Sequence, residues 1–226
     1  WPVRIARGFF VLSARHLHCA PLALLLLSLC AHAGDLPRIA DIHLHWKWNQ
    51  KEVIDASEAI QILREQNVGL AVVTGTPPEL ALELQEIAPD IVRPIYGIYR
   101  IPGEWSSWHH DSDLLKRVRQ ALESGRYFGI GEIHMIGGFI SDWKNPVIDG
   151  LFNLAAEFDV PVLLHTEFSR DNYTLGLCQE HLHTRFLWAH AGSMLKPAEV
   201  ERVENGCPNV QFEISARDPW RHRGNP

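Results

Sequence analysis

Short apolar runs alternate with amphipathic helical patterns along most of this 226-residue chain. The runs are rich in Val, Ile, Leu and Phe, which predicts buried β-strands, while the segments between them carry apolar residues at helical spacing. Buried strands separated by helices are typical of a parallel sheet covered by helices. The predicted strands lie at 39–45, 69–74, 92–98, 128–134, 161–165, 186–190 and 210–215. The predicted helices lie at 57–66, 78–87, 112–124, 146–158, 172–181 and 197–205.

Four histidines end predicted strands, and their distribution favours a barrel over an open sheet. His43 and His45 end the first strand, His165 ends the fifth and His190 ends the sixth. In a doubly wound sheet, functional residues gather at one switch point, whereas here they are spread around the strand order. The predicted fold class is therefore α/β, a (β/α)8 TIM barrel whose strand ends share one rim.

These strand ends offer the ligands of a metal site. Side chains alternate along a strand, so His43 and His45 share one face. A single strand-end histidine is more often a hydrogen-bonded core or loop residue, but four in equivalent positions favour metal binding. Glu132 ends the fourth strand and adds a carboxylate. Imidazole and carboxylate together predict one or two divalent ions, with zinc as the expected metal. The predicted ligands are His43, His45, Glu132, His165 and His190.

The order of these motifs resembles the amidohydrolase superfamily, and within it the amidohydrolase-related metal-dependent hydrolases with a TIM-barrel fold. The resemblance covers roughly residues 39–220. It is carried by Asp41-Ile42-His43-Leu44-His45, Gly131-Glu132, Leu164-His165, Ala189-His190-Ala191-Gly192 and Phe212-Glu213-Ile214-Ser215.

The resemblance implies a metal-dependent hydrolase in which metal-activated water attacks an amide, ester or lactone. It implies that His43 and His45 hold one metal and that His165 and His190 hold a second. Glu132 would bridge them, in the place that a carboxylated lysine takes in other branches and in an arrangement similar to the TatD type. Glu132 and His190 are also expected to be catalytic.

One departure from the family pattern keeps other functions open. The superfamily's eighth strand carries an aspartate that binds metal and accepts a proton, and this chain ends soon after its seventh strand. The barrel is therefore expected to be truncated, with residues 34–226 forming a C-terminally incomplete domain. Asp218 is a candidate substitute, although its place before Pro219 favours a turn. The alternatives are a metal-dependent decarboxylase of the same superfamily and a non-catalytic metal-binding or ligand-binding remnant.

Substrate contacts are predicted for residues near the same rim. His134 shares a face with Glu132, and the alternative is a rim histidine bonded to backbone. Trp46 follows the first histidine pair, and Trp108 lies in the loop after the third strand, where surface packing is the alternative. Arg217 is predicted either to bind a substrate carboxylate or, more simply, to pair with Asp218.

Composition limits the partners. The formal net charge is −6, with 46% hydrophobic and 21% charged residues, and no basic run follows the first segment. These values exclude the electrostatic pattern of a nucleic-acid-binding protein and favour a small-molecule substrate. Self-association into a homo-oligomer is compatible with the sequence.

Residues 1–33 differ from the rest and predict a signal peptide. Arginines precede an apolar run at 22–29 that is too short to span a bilayer well, and Ala31-His32-Ala33 fits a processing site. The mature protein is expected to be periplasmic or secreted, with no stable membrane span after processing. The alternatives are a lipidated Cys30, a retained anchor or a mistranslated leader. Export would permit a bridge between Cys178 and Cys207, but two buried thiols are the favoured expectation.

Overall fold

The structure is a computed structural model that describes residues 37–136, 140 and 143–217. The predicted signal peptide, residues 1–33, and Asp218 lie outside the described residues. The strands are β1 (Ile39–Lys47), β2 (Val68–Thr76), β3 (Val92–Ile95), β4 (Ile130–His134), β5 (Val162–His165), β6 (Phe186–Trp188) and β7 (Val210–Phe212). The helices are α1 (Ala56–Glu65), α2 (Leu80–Ile87), α3 (Leu114–Glu123), α4 (Pro146–Glu157), α5 (Asp171–Glu180) and α6 (Pro197–Gly206).

The strands are parallel and follow one another in chain order. β1, β2 and β3 pair successively, as do β4, β5, β6 and β7. A bridge between Tyr96 and Ile130 places β3 beside β4. At the other end of the order, His43 of β1 contacts Glu213, which directly follows β7. This chain-order arrangement, with a side-chain contact between β1 and the residue that follows β7, is that of a TIM barrel and lacks the reversal of a doubly wound sheet.

Local sequence signals fix the helix starts. Asp55 precedes α1, and its side chain accepts a hydrogen bond of 2.9 Å from the backbone N–H of Glu58. Asn145 caps α4 in the same way, with Pro146 at the first helical position. These residues satisfy N–H groups that have no partner within the helix. Among the described residues, no helix is long and apolar enough to cross a membrane.

Apolar side chains cover both faces of the strands. On the helix side, Trp46 packs with Ile60 and Leu84 in a core that joins β1 and β2 to α1 and α2. On the other face, Leu163 packs with Ile95 in a small cluster. Leu163 lies two residues before His165 on the same strand, so this cluster is beneath the polar rim and excludes water from it.

β6 is shorter than the predicted strand 186–190. It ends at Trp188, and His190 lies in a 3-10 turn, Ala189–Gly192, with a φ of 57°. The backbone N–H of His190 donates to the Glu213 carboxylate at 2.6 Å. The strand ends here because this N–H bonds a side chain instead of the neighbouring strand.

Cys178 and Cys207 form a disulfide, with their Cα atoms 5.9 Å apart. The expectation of two unbridged thiols is therefore corrected. Cys178 is on α5 and Cys207 follows α6, so the bridge joins two neighbouring helices. Spacing along the sequence could not show this, because bridging depends on how the two helices pack.

Candidate metal centre

Two histidines of β1 are directed at the same point. His43 and His45 are two positions apart on the strand, so the pleat turns both rings to one face. His43 Nε2 and His45 Nε2 are 3.0 Å apart. Ring nitrogens this close can share a proton or bind a common cation. β1 therefore supplies two adjacent candidate ligands.

The Glu132 carboxylate lies among histidines of two strands. Its Oε1 is 2.5 Å from His165 Nδ1 and 3.4 Å from His43 Nε2. Its Oε2 is 3.2 Å from His45 Nε2. Glu132 is only 5% exposed. Both oxygens of this buried carboxylate face imidazoles. The predicted bridging of two metals by Glu132 stays a prediction.

Gly131 allows β4 to approach β5 at this point. Its φ is 127°, and a Cβ atom there would lie 2.5 Å from the backbone oxygen of Leu163. A side chain would therefore clash with β5. The glycine before Glu132 thus contributes to the position of the carboxylate.

His190 reaches the cluster from its turn rather than from a strand end. Its ring stacks on His43 with centroids 4.8 Å apart and meets His165 edge-on at 5.1 Å. Its Nδ1 is 3.2 Å from Glu213 Oε1. The structure thus brings the five predicted metal ligands into one cluster, although His190 does not contact Glu132 directly.

Three overlapping trios have ligand atoms that all lie within 4.8 Å of one another. They are His43, His45 and Glu132; Glu132, His134 and His165; and His43, His190 and Glu213. Nitrogen and carboxylate oxygen are the donors that zinc and similar cations bind. The donor set therefore fits one or two divalent ions.

The cluster is electrostatically coupled. Burial alone would raise the pKa of Glu132, but hydrogen bonds from His165, His43 and His45 hold it well below its usual range. Burial lowers the pKa of His43, yet hydrogen bonds with Glu132 and Glu213 outweigh this and raise it to about 9. The two carboxylates thus favour positive charge at this point, and a bound cation would take the place of a proton.

Solved structures with similar folds belong to the amidohydrolase superfamily. A probable 2-pyrone-4,6-dicarboxylic acid hydrolase from Acinetobacter baumannii, with citric acid bound, gives a TM-score of 0.55 at 14% identity, over 82% of this chain and 74% of that chain. The chain has a TIM-barrel fold similar to that of this hydrolase.

Other solved neighbours are more distant. A putative amidohydrolase from Staphylococcus aureus gives a TM-score of 0.46 at 10% identity, over 81% of this chain and 89% of that chain. A dihydroorotase from Campylobacter jejuni gives 0.48 at 14% identity, over 78% and 54%. No protein-family model and no curated protein matches the chain. Likeness at such identities shows the fold alone, and one fold hosts many reactions, so function must be argued from the site.

His134 and Trp108 lie beside the candidate metal ligands. His134 Nδ1 is 3.0 Å from the Tyr99 hydroxyl, and its ring stacks on His165 with centroids 4.6 Å apart. Trp108 is only 3% exposed and donates from Nε1 to the backbone oxygen of His134 at 3.3 Å. Trp108 therefore stabilises the backbone at the end of β4, whereas the His134 ring faces the candidate metal ligands.

Trp46 and Arg217, for which substrate contacts are predicted from the sequence, contact other parts of the protein in the structure. Trp46 is 3% exposed in the helix-side core, because it lies on the face of β1 opposite His43 and His45. Arg217 donates to the backbone oxygens of Ala191 at 2.8 Å and Leu195 at 2.7 Å. Its guanidinium thus stabilises the turn that carries His190 through hydrogen bonds to backbone oxygens. Its predicted partner Asp218 lies outside the described residues, and substrate contact by Trp46 or Arg217 stays a prediction.

A cavity of about 280 Å³ opens beside His134. Aromatic rings of Trp48, Tyr99 and Trp105 line it together with Lys47. The Lys47 ammonium has no ion pair within the part of the chain that the structure describes. Burial lowers the pKa of His134 to about 4, and the nearby Lys47 charge acts in the same direction. The cavity next to the candidate metal ligands is therefore lined by aromatic residues and by one lysine.

Glu213 is a site residue to which the sequence analysis assigned no role, as are Tyr99 beside His134 and Glu167 beside His165. Glu213 contacts both His43 and His190. The available signal was its position: it directly follows the seventh strand, on the rim where the histidines lie. A carboxylate at a strand end of such a barrel shares the rim with the strand-end histidines and is therefore a candidate site residue.

Proposed function

We propose that this protein is a metal-dependent hydrolase acting on an amide, ester or lactone. The observation that supports it is the buried Glu132 carboxylate, within 3.4 Å of imidazole nitrogens from β1 and β5. The proposed ligands of one or two divalent ions, zinc first among them, are His43, His45, Glu132, His165 and His190. A cation in such a site acts as a Lewis acid that polarises a carbonyl and makes water nucleophilic near neutral pH.

The chain's own residues would bind and orient the substrate. The apolar cluster around Leu163 closes the floor of the site. The cavity beside His134 offers aromatic faces for a planar ring and the Lys47 ammonium for an anion. We therefore propose a small ring-containing substrate with a carboxylate. The name of the A. baumannii neighbour suggests carboxylated 2-pyrones, which are lactones, as first test compounds.

The test is turnover by the full chain loaded with Zn²⁺ or Mn²⁺. We expect opening of a carboxylated lactone and loss of activity with a chelator. We also expect a KM roughly 10- to 100-fold lower than for the uncharged lactone, because a charge-assisted hydrogen bond contributes roughly 1.5–3 kcal/mol. Lys47→Gln should remove this preference. Lys51→Gln is the matched control, since Lys51 is exposed and already paired with Glu83 at 2.8 Å.

Two outcomes would replace the proposal. Release of carbon dioxide from a carboxylated aromatic, with lactones untouched, would establish a decarboxylase. Stoichiometric metal without turnover across lactones, esters and amides would support a non-catalytic binding protein.

We also propose that the protein is exported to the periplasm or secreted. The arginines, apolar run and Ala31-His32-Ala33 of residues 1–33 support this, as does the Cys178–Cys207 disulfide, since such bonds persist in oxidising compartments. Mass spectrometry of the exported protein is expected to find Gly34 at its N-terminus. An exported protein that retains residues 1–33 would contradict the processing site.

A further inference from the structure

The Glu213 carboxylate, which directly follows β7, accepts hydrogen bonds from three residues. It lies 2.9 Å from His43 Nδ1, 2.6 Å from the backbone nitrogen of His190 and 2.5 Å from that of Ser215. The side chain is 11% exposed. Backbone N–H groups can only donate, so the carboxylate is held in one orientation as an acceptor.

This contact determines which nitrogen of His43 can bind a cation. A carboxylate at 2.9 Å keeps a proton on Nδ1 of His43. The other nitrogen, Nε2, faces His45 Nε2 at 3.0 Å and Glu132 Oε1 at 3.4 Å. The nitrogen that faces the metal ligands is therefore the one left to bind a cation.

His190 is oriented by the same segment, residues 213–215. Its Nδ1 is 3.0 Å from the backbone oxygen of Ser215. A carbonyl oxygen can only accept, so His190 donates from Nδ1 and keeps Nε2 free. Residues 213–215 thus orient two rings that stack 4.8 Å apart.

We propose that Glu213 is a positioning residue of the metal centre, which fixes His43 with its Nε2 toward the metal and holds the turn of His190. The proposal rests on the metal site proposed above. Glu213 could instead be a ligand, since it forms a trio with His43 and His190. Its carboxylate oxygens already accept from His43, His190 and Ser215, which favours the positioning role. Carboxylates that orient metal-binding histidines typically contribute 10- to 100-fold to metal affinity.

The first measurement is the Zn²⁺ dissociation constant of the full chain, by competition with a chelating dye. Glu213→Gln and Glu213→Ala are expected to bind Zn²⁺ at least 10-fold more weakly with unchanged stoichiometry. Gln211→Ala is the matched control, because Gln211 is an exposed residue of β7, the strand that Glu213 directly follows. Unchanged affinity in both Glu213 variants would overturn the proposal.

Spectroscopy separates positioning from ligation. With Co²⁺ in the site, the visible bands of Glu213→Gln should keep the wild-type energies, whereas a shift that indicates a lost ligand would make Glu213 a ligand. In NMR spectra of the ¹¹³Cd-loaded wild type, the spin–spin coupling between ¹¹³Cd and the His43 ring should be transmitted through Nε2. Coupling through Nδ1 would refute the proposed orientation.

A metal-free measurement keeps the proposal independent of the proposed function. The Nδ1 proton of His43 should exchange slowly with solvent in the wild type and at least 10-fold faster in Glu213→Gln. Equal exchange rates would overturn the positioning role. A wild type that binds Zn²⁺ without hydrolysing any substrate would defeat the proposed hydrolase and leave these measurements to decide the role of Glu213. A wild type that binds no metal would overturn both proposals.

Discussion

Replacing Glu132 with glutamine is expected to weaken Zn²⁺ binding by the full chain about 100- to 1000-fold. The wild-type carboxylate is buried and faces His165, His43 and His45 at 2.5, 3.4 and 3.2 Å. Removing one member of a buried charged set costs about 3–5 kcal/mol, and each 1.4 kcal/mol is a factor of about 10 in affinity. The measurement is zinc content after dialysis, together with the dissociation constant.

The control for this prediction is an exposed carboxylate. Glu157 is exposed and pairs with Arg119 at 2.6 Å on the helical surface, so Glu157→Gln should leave zinc binding unchanged. Wild-type zinc affinity in Glu132→Gln would show that the carboxylate is not a ligand. The metal would then have to be assigned to the histidines alone.

Removing the disulfide is expected to lower the free energy of unfolding by about 3 to 4 kcal/mol. The bonded cysteines are 29 residues apart, and the cross-link restricts the unfolded chain by an amount that grows with this separation. The Cys178→Ala/Cys207→Ala variant should therefore melt roughly 10 °C lower than the oxidised wild type. Calorimetry and urea denaturation measure both quantities.

Reductant provides the matched control for the disulfide. It should lower the melting temperature of the wild type and leave that of the double alanine variant unchanged. Equal stability of oxidised and reduced wild type would contradict the prediction. Both cysteines are only 1% exposed, so the reduction must be allowed to reach completion before melting.

Much of the fold could be predicted from the sequence because its signals are local. The apolar strands and the capping residues Asp55 and Asn145 each act within a few positions, and the predicted helices match α1 to α6 within about two residues. The pairing of His43 with His45 follows from strand alternation alone. The same rule places Trp46 on the opposite face, a consequence that the sequence reasoning did not apply to that residue.

Only the tertiary structure decided the contacts between distant strands. His43 and Glu213 are 170 residues apart, and they meet because the sheet curves until β1 and β7 share a rim. The turn of His190, with its φ of 57°, depends on a hydrogen bond to that same carboxylate. The Cys178–Cys207 bridge likewise requires α5 and α6 to pack together. Residue types and periodicity determined which groups end the strands, while sheet curvature and helix packing, which no local pattern encodes, determined which of those groups touch.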